Sequence, residues 1–160
     1  MATSPSSALL TPQQALLILR IIWAAMLAGE GIFLAVIIGL LSASQFVPND
    51  SLHPLLAYIA LGLLAVAVPA GYFARMQTYK ANWREHAVAP LGYMRGNIML
   101  LAMLEGAAMF SLVAVLLTGR YVPEAIGAFV AMAVQVVNFP TGKPMRPAPP
   151  IFPSIHASQP

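Results

Sequence analysis

The chain has 160 residues, of which 59% are hydrophobic and 8% are charged, and its formal net charge at pH 7 is +3. A soluble domain carries about 25% charged residues, so this composition excludes a soluble globular protein. The absence of cysteine excludes disulfides, thiolate metal sites and thiol nucleophiles. Because so few residues are charged, the positive balance indicates membrane topology rather than a nucleic-acid surface.

Four apolar segments follow one another along the chain and predict membrane-spanning helices. A helix of about 20 residues is about 30 Å long, which matches the hydrocarbon core of a bilayer. The segments are apolar on all sides, which argues against the alternating strands of a barrel. We therefore predict an all-α fold, an integral membrane four-helix bundle. The segments are 21–41, 54–74, 98–118 and 123–139, and the last is the shortest.

Prolines and one acid mark features within these helices. Pro54 and Pro123 lie near helix starts, where proline is tolerated. Pro69 falls inside the second segment and predicts a kink there. Glu124 follows Pro123, so its carboxylate is predicted to meet the positive end of the fourth helix dipole.

The basic residues predict the orientation of the chain in the membrane. A basic excess is typical of the cytoplasmic side, and of the eight Lys and Arg residues only Arg120 falls on the opposite side. We predict a multi-pass protein of the inner (plasma) membrane, with both termini and a long loop at 75–97 in the cytoplasm. The other seven Lys and Arg residues share one side: Arg20, Arg75, Lys80, Arg84, Arg95, Lys143 and Arg146.

Three regions follow from this arrangement. Residues 1–19 form an N-terminal cytoplasmic segment, and 20–139 form the four-helix transmembrane domain. Residues 140–160 contain seven prolines, which predicts an extended or disordered cytoplasmic tail that does not pack a core. An alternative is that this tail recruits a partner as a proline-rich ligand.

A short internal repeat relates the first and third helices. Arg20 and Glu30 match Arg95 and Glu105 at an offset of 75 residues, and both segments read R-x9-E-G. At the helical rise, each glutamate lies about 15 Å deeper than its arginine, near the bilayer midplane. The repeat suggests two parallel helical hairpins related by an axis along the membrane normal.

Glu30 and Glu105 are the candidate functional residues. An ionised acid at this depth costs about 3 kcal/mol, and a protonated one still needs a hydrogen-bond partner. Two interpretations stay open: the pair binds a proton or cation, or neutral acids hold helices or a complex together. The possible polar partners are Gln135, Ser111, Tyr58 and Asn138.

The sequence offers few residues for catalysis or metal binding. His53, His86 and His156 lack ligand spacing, and none lies inside a predicted span where a haem ligand would be needed. No catalytic or nucleotide motif is present. We therefore expect no enzymatic activity, no cofactor and no nucleic-acid partner; the expected partners are the lipid bilayer and a second copy or another membrane protein.

The stretch RGNIMLLAMLEGAAMFSLVAVLL, at 95–117, resembles the carboxylate helix of rotary ATPase proteolipid (c-type) subunits. The resemblance covers about 25 residues and implies that Glu105 carries an ion, with Glu30 as a second copy. The second segment departs from that family, because it offers only Gly62 and Gly71 in place of a packed glycine series. The loop MQTYKANWRE also lacks the family's Arg-Gln-Pro turn.

Most of the chain resembles a family of small, uncharacterised four-span bacterial membrane proteins. The similar parts are the arginine-led first span at 20–41, the LEGAAMF motif at 104–110 and the FPT motif at 139–141. That resemblance implies the four-span fold but no activity. The leading prediction is a non-enzymatic protein whose buried glutamates specify bundle or oligomer assembly; the alternative is a proton- or cation-translocating, proteolipid-like protein.

Overall fold

The computed structural model describes residues 10–43, 49–84 and 86–146. These residues form four α-helices joined by short connections, so the all-α prediction is confirmed. A two-residue antiparallel pairing of Trp83–Arg84 with Ala87–Val88 lies between the second and third helices. The helices are α1 (Pro12–Ser42), α2 (His53–Ala81), α3 (Pro90–Thr118) and α4 (Glu124–Val137), and the two 3-10 turns are Asp50–Leu52 and Lys143–Met145.

Three of the helices are long and apolar enough to cross a membrane. α1 has 31 residues, and α2 and α3 have 29 each. α4 has only 14 residues, or about 21 Å, which is less than the hydrocarbon thickness of about 30 Å. Length and composition therefore identify an α-helical membrane protein with three candidate spanning helices, and a fourth crossing stays a prediction.

The helices begin and end at local signals rather than at the limits of the apolar segments. α1 starts in a capping box, in which the Thr11 hydroxyl accepts from the Gln14 backbone and the Gln14 side chain accepts from the Thr11 backbone. Residues 12–19, predicted as part of an N-terminal segment, are thus the first turns of α1. α3 ends at Gly119, whose φ of 67° is the left-handed conformation that favours glycine.

The predicted long loop at 75–97 is wrong in its bounds. α2 continues to Ala81 and α3 begins at Pro90, so the connection is only 82–89. Arg75 and Arg95 therefore lie within helices. Both helices continue through polar residues beyond their apolar segments. A search for apolar segments alone misses those turns.

α3 lies at the centre of the bundle. Half of the residues in the most apolar 18-residue stretch of α3 are buried inside the protein, compared with 11% for α1 and 22% for α2. One core cluster lies towards the C-terminal end of α3, around Leu112 and Val115, which pack with Ile37 of α1 and Ala128 of α4. The other core cluster, towards the start of α3, is formed by Leu19, Val88, Tyr93 and Leu101.

The chain after α4 packs against the bundle instead of leaving it. Pro140 is fully buried, and its carbonyl accepts a hydrogen bond from Arg20 Nε at 3.2 Å. The Gly142 amide donates to the Tyr93 hydroxyl at 3.1 Å, and Met145 packs against the cluster around Leu19. The prediction that 140–160 cannot pack a core is thus wrong for 140–146, while 147–160 lie outside the described residues.

A glycine on α4 sets how closely α4 approaches α3. A Cβ added at Gly127 would overlap the buried Ser111 hydroxyl. We expect Gly127→Ala to lower the unfolding free energy by about 1–3 kcal/mol, because an overpacked contact must shift. Gly62→Ala is the matched control, since nothing lies within 4 Å of a Cβ there. Equal stability of both variants in SDS-titrated micelles would contradict this packing.

Candidate functional site

Glu30 lies midway along α1 and is sealed inside the protein. Its side chain is fully buried, and Oε1 accepts a hydrogen bond from Gln135 Nε2 at 2.5 Å. Gln135 is also fully buried and lies near the end of α4. Trp23 Nε1 donates to the Gln135 backbone carbonyl at 2.9 Å. Two hydrogen bonds therefore join α1 to the last turn of α4.

The two groups left over in this pair are complementary. Glu30 Oε2 and Gln135 Oε1 have no hydrogen-bond partner. Both are acceptors while the acid is ionised, because a carboxylate has no hydrogen to donate. With a proton on its Oε2, Glu30 could donate a hydrogen bond to Gln135 Oε1, which has no other partner. The arrangement thus suits a neutral acid–amide pair, which can exchange two hydrogen bonds and carries no buried charge.

Glu105 lies in a different environment from Glu30. It is half-buried in the middle of α3, and it is close enough to Glu30 for the two carboxyls to interact electrostatically. No hydrogen bond joins them in the part of the chain that the structure describes. Ala102 and Gly106, one turn before and one residue after, are exposed. The surroundings of Glu105 are therefore open on one side.

The other three predicted polar partners do not bond either glutamate. Ser111 is buried, but its hydroxyl has no partner and faces Gly127. Tyr58 is 77% exposed on α2. Asn138 Oδ1 accepts from Arg75 Nη1 at 2.8 Å, and its Nδ2 donates to the Tyr72 hydroxyl. Of the predicted partners, the structure brings only Gln135 to Glu30.

A second buried acid was missed as a site by the sequence reasoning. Glu124 lies in the first turn of α4, as predicted, but it is also fully buried. Its Oε1 is 2.5 Å from His53 Nδ1 at the start of α2. The sequence could have indicated this contact, because His53 and Glu124 each begin a helix. Both helices begin on the same predicted side of the membrane, so the two side chains are expected at a similar depth. This contact links the starts of α2 and α4 at the end of the bundle that carries Arg120, opposite the other seven basic residues.

Metal binding has little support in this geometry. Within residues 10–43, 49–84 and 86–146, no three His, Asp or Glu side chains gather as a metal site would require. The His53–Glu124 pair offers two ligands, and a structural metal site needs more.

Searches of protein-family models, of curated proteins and of solved structures each found no significant match. The two resemblances drawn from the sequence therefore stay predictions. The fold and its polar contacts define the class: an α-helical membrane protein with an acid–amide pair sealed in its bundle.

The Glu30–Gln135 contact can be tested by removing the amide. We expect Gln135→Leu to lower the unfolding free energy by about 1–3 kcal/mol, because Glu30 is left buried without a partner. Glu30→Gln should cost less, since two amides can still exchange two hydrogen bonds. Gln77→Leu makes the same chemical change at an exposed position and should stay within about 0.5 kcal/mol. A Gln135→Leu value no larger than the Gln77→Leu value would refute the contact.

The His53–Glu124 contact predicts an energetic coupling between α2 and α4. We expect a double-mutant cycle of His53→Ala and Glu124→Ala to give a coupling of about 0.5–3 kcal/mol. The sum of the two single losses in unfolding free energy should exceed the loss in the double variant, because each single change leaves the other side chain unpaired. Additive effects in SDS-titrated micelles would show that the two residues do not interact.

Proposed function

We propose that this chain is a non-enzymatic, polytopic inner-membrane protein whose mid-span glutamates specify helix assembly. Glu30 acts within the bundle, and Glu105 acts at a contact with a second membrane helix. The observation that carries the proposal is the full burial of Glu30 in a hydrogen bond to Gln135 of the same chain. A carboxyl used in this way fixes one helix against another and has no exposed face for exchange.

The surface around Glu105 supports a contact with another helix. The neighbouring residues Ala102 and Gly106 are small and exposed, so the surface beside Glu105 is open. Nothing lies within 4 Å of a Cβ built at Gly106. Small residues let two helix backbones approach closely in a membrane. An ionised acid in the hydrocarbon costs about 3 kcal/mol, and a hydrogen bond from a neighbouring helix would offset part of that cost. The neighbour is a second copy of the chain or another membrane protein.

Proton or cation carriage is the second candidate function. It is favoured by the nearness of Glu105 to Glu30 and by the unpartnered Oε2 of Glu30. A proton could therefore bind the accessible carboxyl of Glu105 or the buried carboxyl of Glu30, which lie at a similar depth. The resemblance of 95–117 to proteolipid helices implies the same role for Glu105. A carrier must release and rebind its proton, whereas an assembly residue needs only to hydrogen-bond.

Substitutions at Glu105 separate the two functions. In the assembly function, Glu105→Gln keeps the oligomer because an amide still hydrogen-bonds, and Glu105→Leu weakens it. Met103→Leu is the control for a change of shape on the exposed face of α3. Oligomeric state is measured by cross-linking and mass analysis of the full chain in lipid nanodiscs.

Proton flux into dye-loaded vesicles completes the test. Carriage predicts that Glu105→Gln abolishes flux as completely as Glu105→Leu, because neither side chain can carry a proton. A wild-type chain that is monomeric in nanodiscs, or an oligomer unaffected by Glu105→Leu, would contradict assembly through Glu105. Flux by the wild type that both variants lose would establish the carrier function in its place.

A further inference from the structure

An apolar groove runs along the exposed face of α2 towards the basic end of the bundle, the end that carries Arg20, Arg75 and Lys80. The groove has a volume of about 690 Å³ and begins at Pro69, in the apolar part of the helix. That volume lies within the range of about 300–1,000 Å³ that is typical of small-molecule sites. Its walls are mostly aromatic and aliphatic: Tyr72, Phe73, Met76 and Trp83.

A smaller polar pocket adjoins this groove at Arg75 and Tyr79, which line both. The pocket has a volume of about 240 Å³ and lies between α2, α3 and the segment after α4. Its other walls include Asn97, Asn138 and Thr141. An apolar groove thus leads into a pocket rich in hydrogen-bonding groups, with a guanidinium where the two meet.

The charge at this junction is positive. Arg75 and Lys80 line the groove, and no Asp or Glu among the described residues lines either cavity. Arg75 is held in place, because its guanidinium lies 4.7 Å over the Tyr72 ring and bonds Asn138. A guanidinium has five N–H donors, so Arg75 retains donors for an anion.

The position of the junction selects the occupant. Basic and aromatic residues gather where a spanning helix meets the lipid headgroups, and basic sites at that level bind anionic headgroups. A free anion would use the polar pocket but leave the groove empty. A ligand that fills both features has an anionic head and a long apolar tail.

We propose that this face of α2 binds one anionic phospholipid, with its phosphate at Arg75 and Lys80 and an acyl chain along the groove towards Pro69. Neither Glu30 nor Glu105 is among the residues that line the groove or the polar pocket. The site is therefore independent of the assembly function proposed above.

Native mass spectrometry of the full chain, released from detergent, tests the site with phosphatidylglycerol and with phosphatidylcholine of the same acyl chains. We expect the wild type to retain one phosphatidylglycerol in preference to phosphatidylcholine. Lys80→Gln should weaken that retention about fivefold, the effect of one basic residue at an anionic membrane surface. Arg84→Gln is the matched control, because Arg84 is exposed at the same end but lines neither cavity.

Arg75→Gln should weaken retention at least as much as Lys80→Gln does. Because Arg75 also bonds Asn138, the Lys80 variant is the decisive one. Equal binding of the two lipids would overturn the proposal, as would an equal loss in Arg84→Gln, which indicates diffuse attraction. Displacement of phosphatidylglycerol by glycerol phosphate would assign the site to a soluble anion and would overturn it too.

Discussion

The bundle depends on one constraint: a polar side chain in the hydrocarbon must find its partner within the protein. No water is available there to satisfy a carboxyl or an amide. Glu30 and Gln135 meet this constraint together, since each is fully buried and bonded to the other. Because their helices, α1 and α4, are not consecutive in the chain, the pair also fixes where the short last helix ends against the first one.

The segment after α4 follows from that placement. Because α4 ends near Glu30, the non-helical residues and the 3-10 turn after it lie beside the first turns of α1. Their backbone groups need partners there. Arg20 bonds the Pro140 carbonyl, and Tyr93 accepts from the Gly142 amide. Non-helical backbone is tolerated near a membrane where protein covers it. Proline suits this segment because it brings a carbonyl but no N–H to satisfy.

The repeated R-x9-E-G motif does not produce two equivalent sites. Glu30 is sealed by α4, whereas Glu105 stays half-buried on the central helix. The difference arises because Gln135 bonds Glu30 alone. The two acids therefore suit different tasks: one fixes the fold of this chain, and the other is left for a neighbour or a proton. An origin by internal duplication stays a prediction.

Pattern and composition determined a good deal of this protein. Apolar runs about as long as the hydrocarbon core is thick, without the alternation of barrel strands, favour helices, so the all-α membrane fold was predictable from the sequence. The positions of Glu30 midway along α1 and of Glu105 midway along α3 also followed from the apolar runs, and their depth in a membrane stays a prediction. Neither result requires knowing which helix touches which.

Tertiary structure decided the pairings. Glu30 is 105 residues from Gln135 along the chain, and His53 is 71 residues from Glu124. No local periodicity encodes contacts at such separations, because they depend on how helices rotate and pack. The same holds for 140–146, whose prolines predict a tail when read alone. Folding brings a donor on α1, Arg20, and an acceptor on α3, Tyr93, alongside that segment, and these contacts make it part of the bundle.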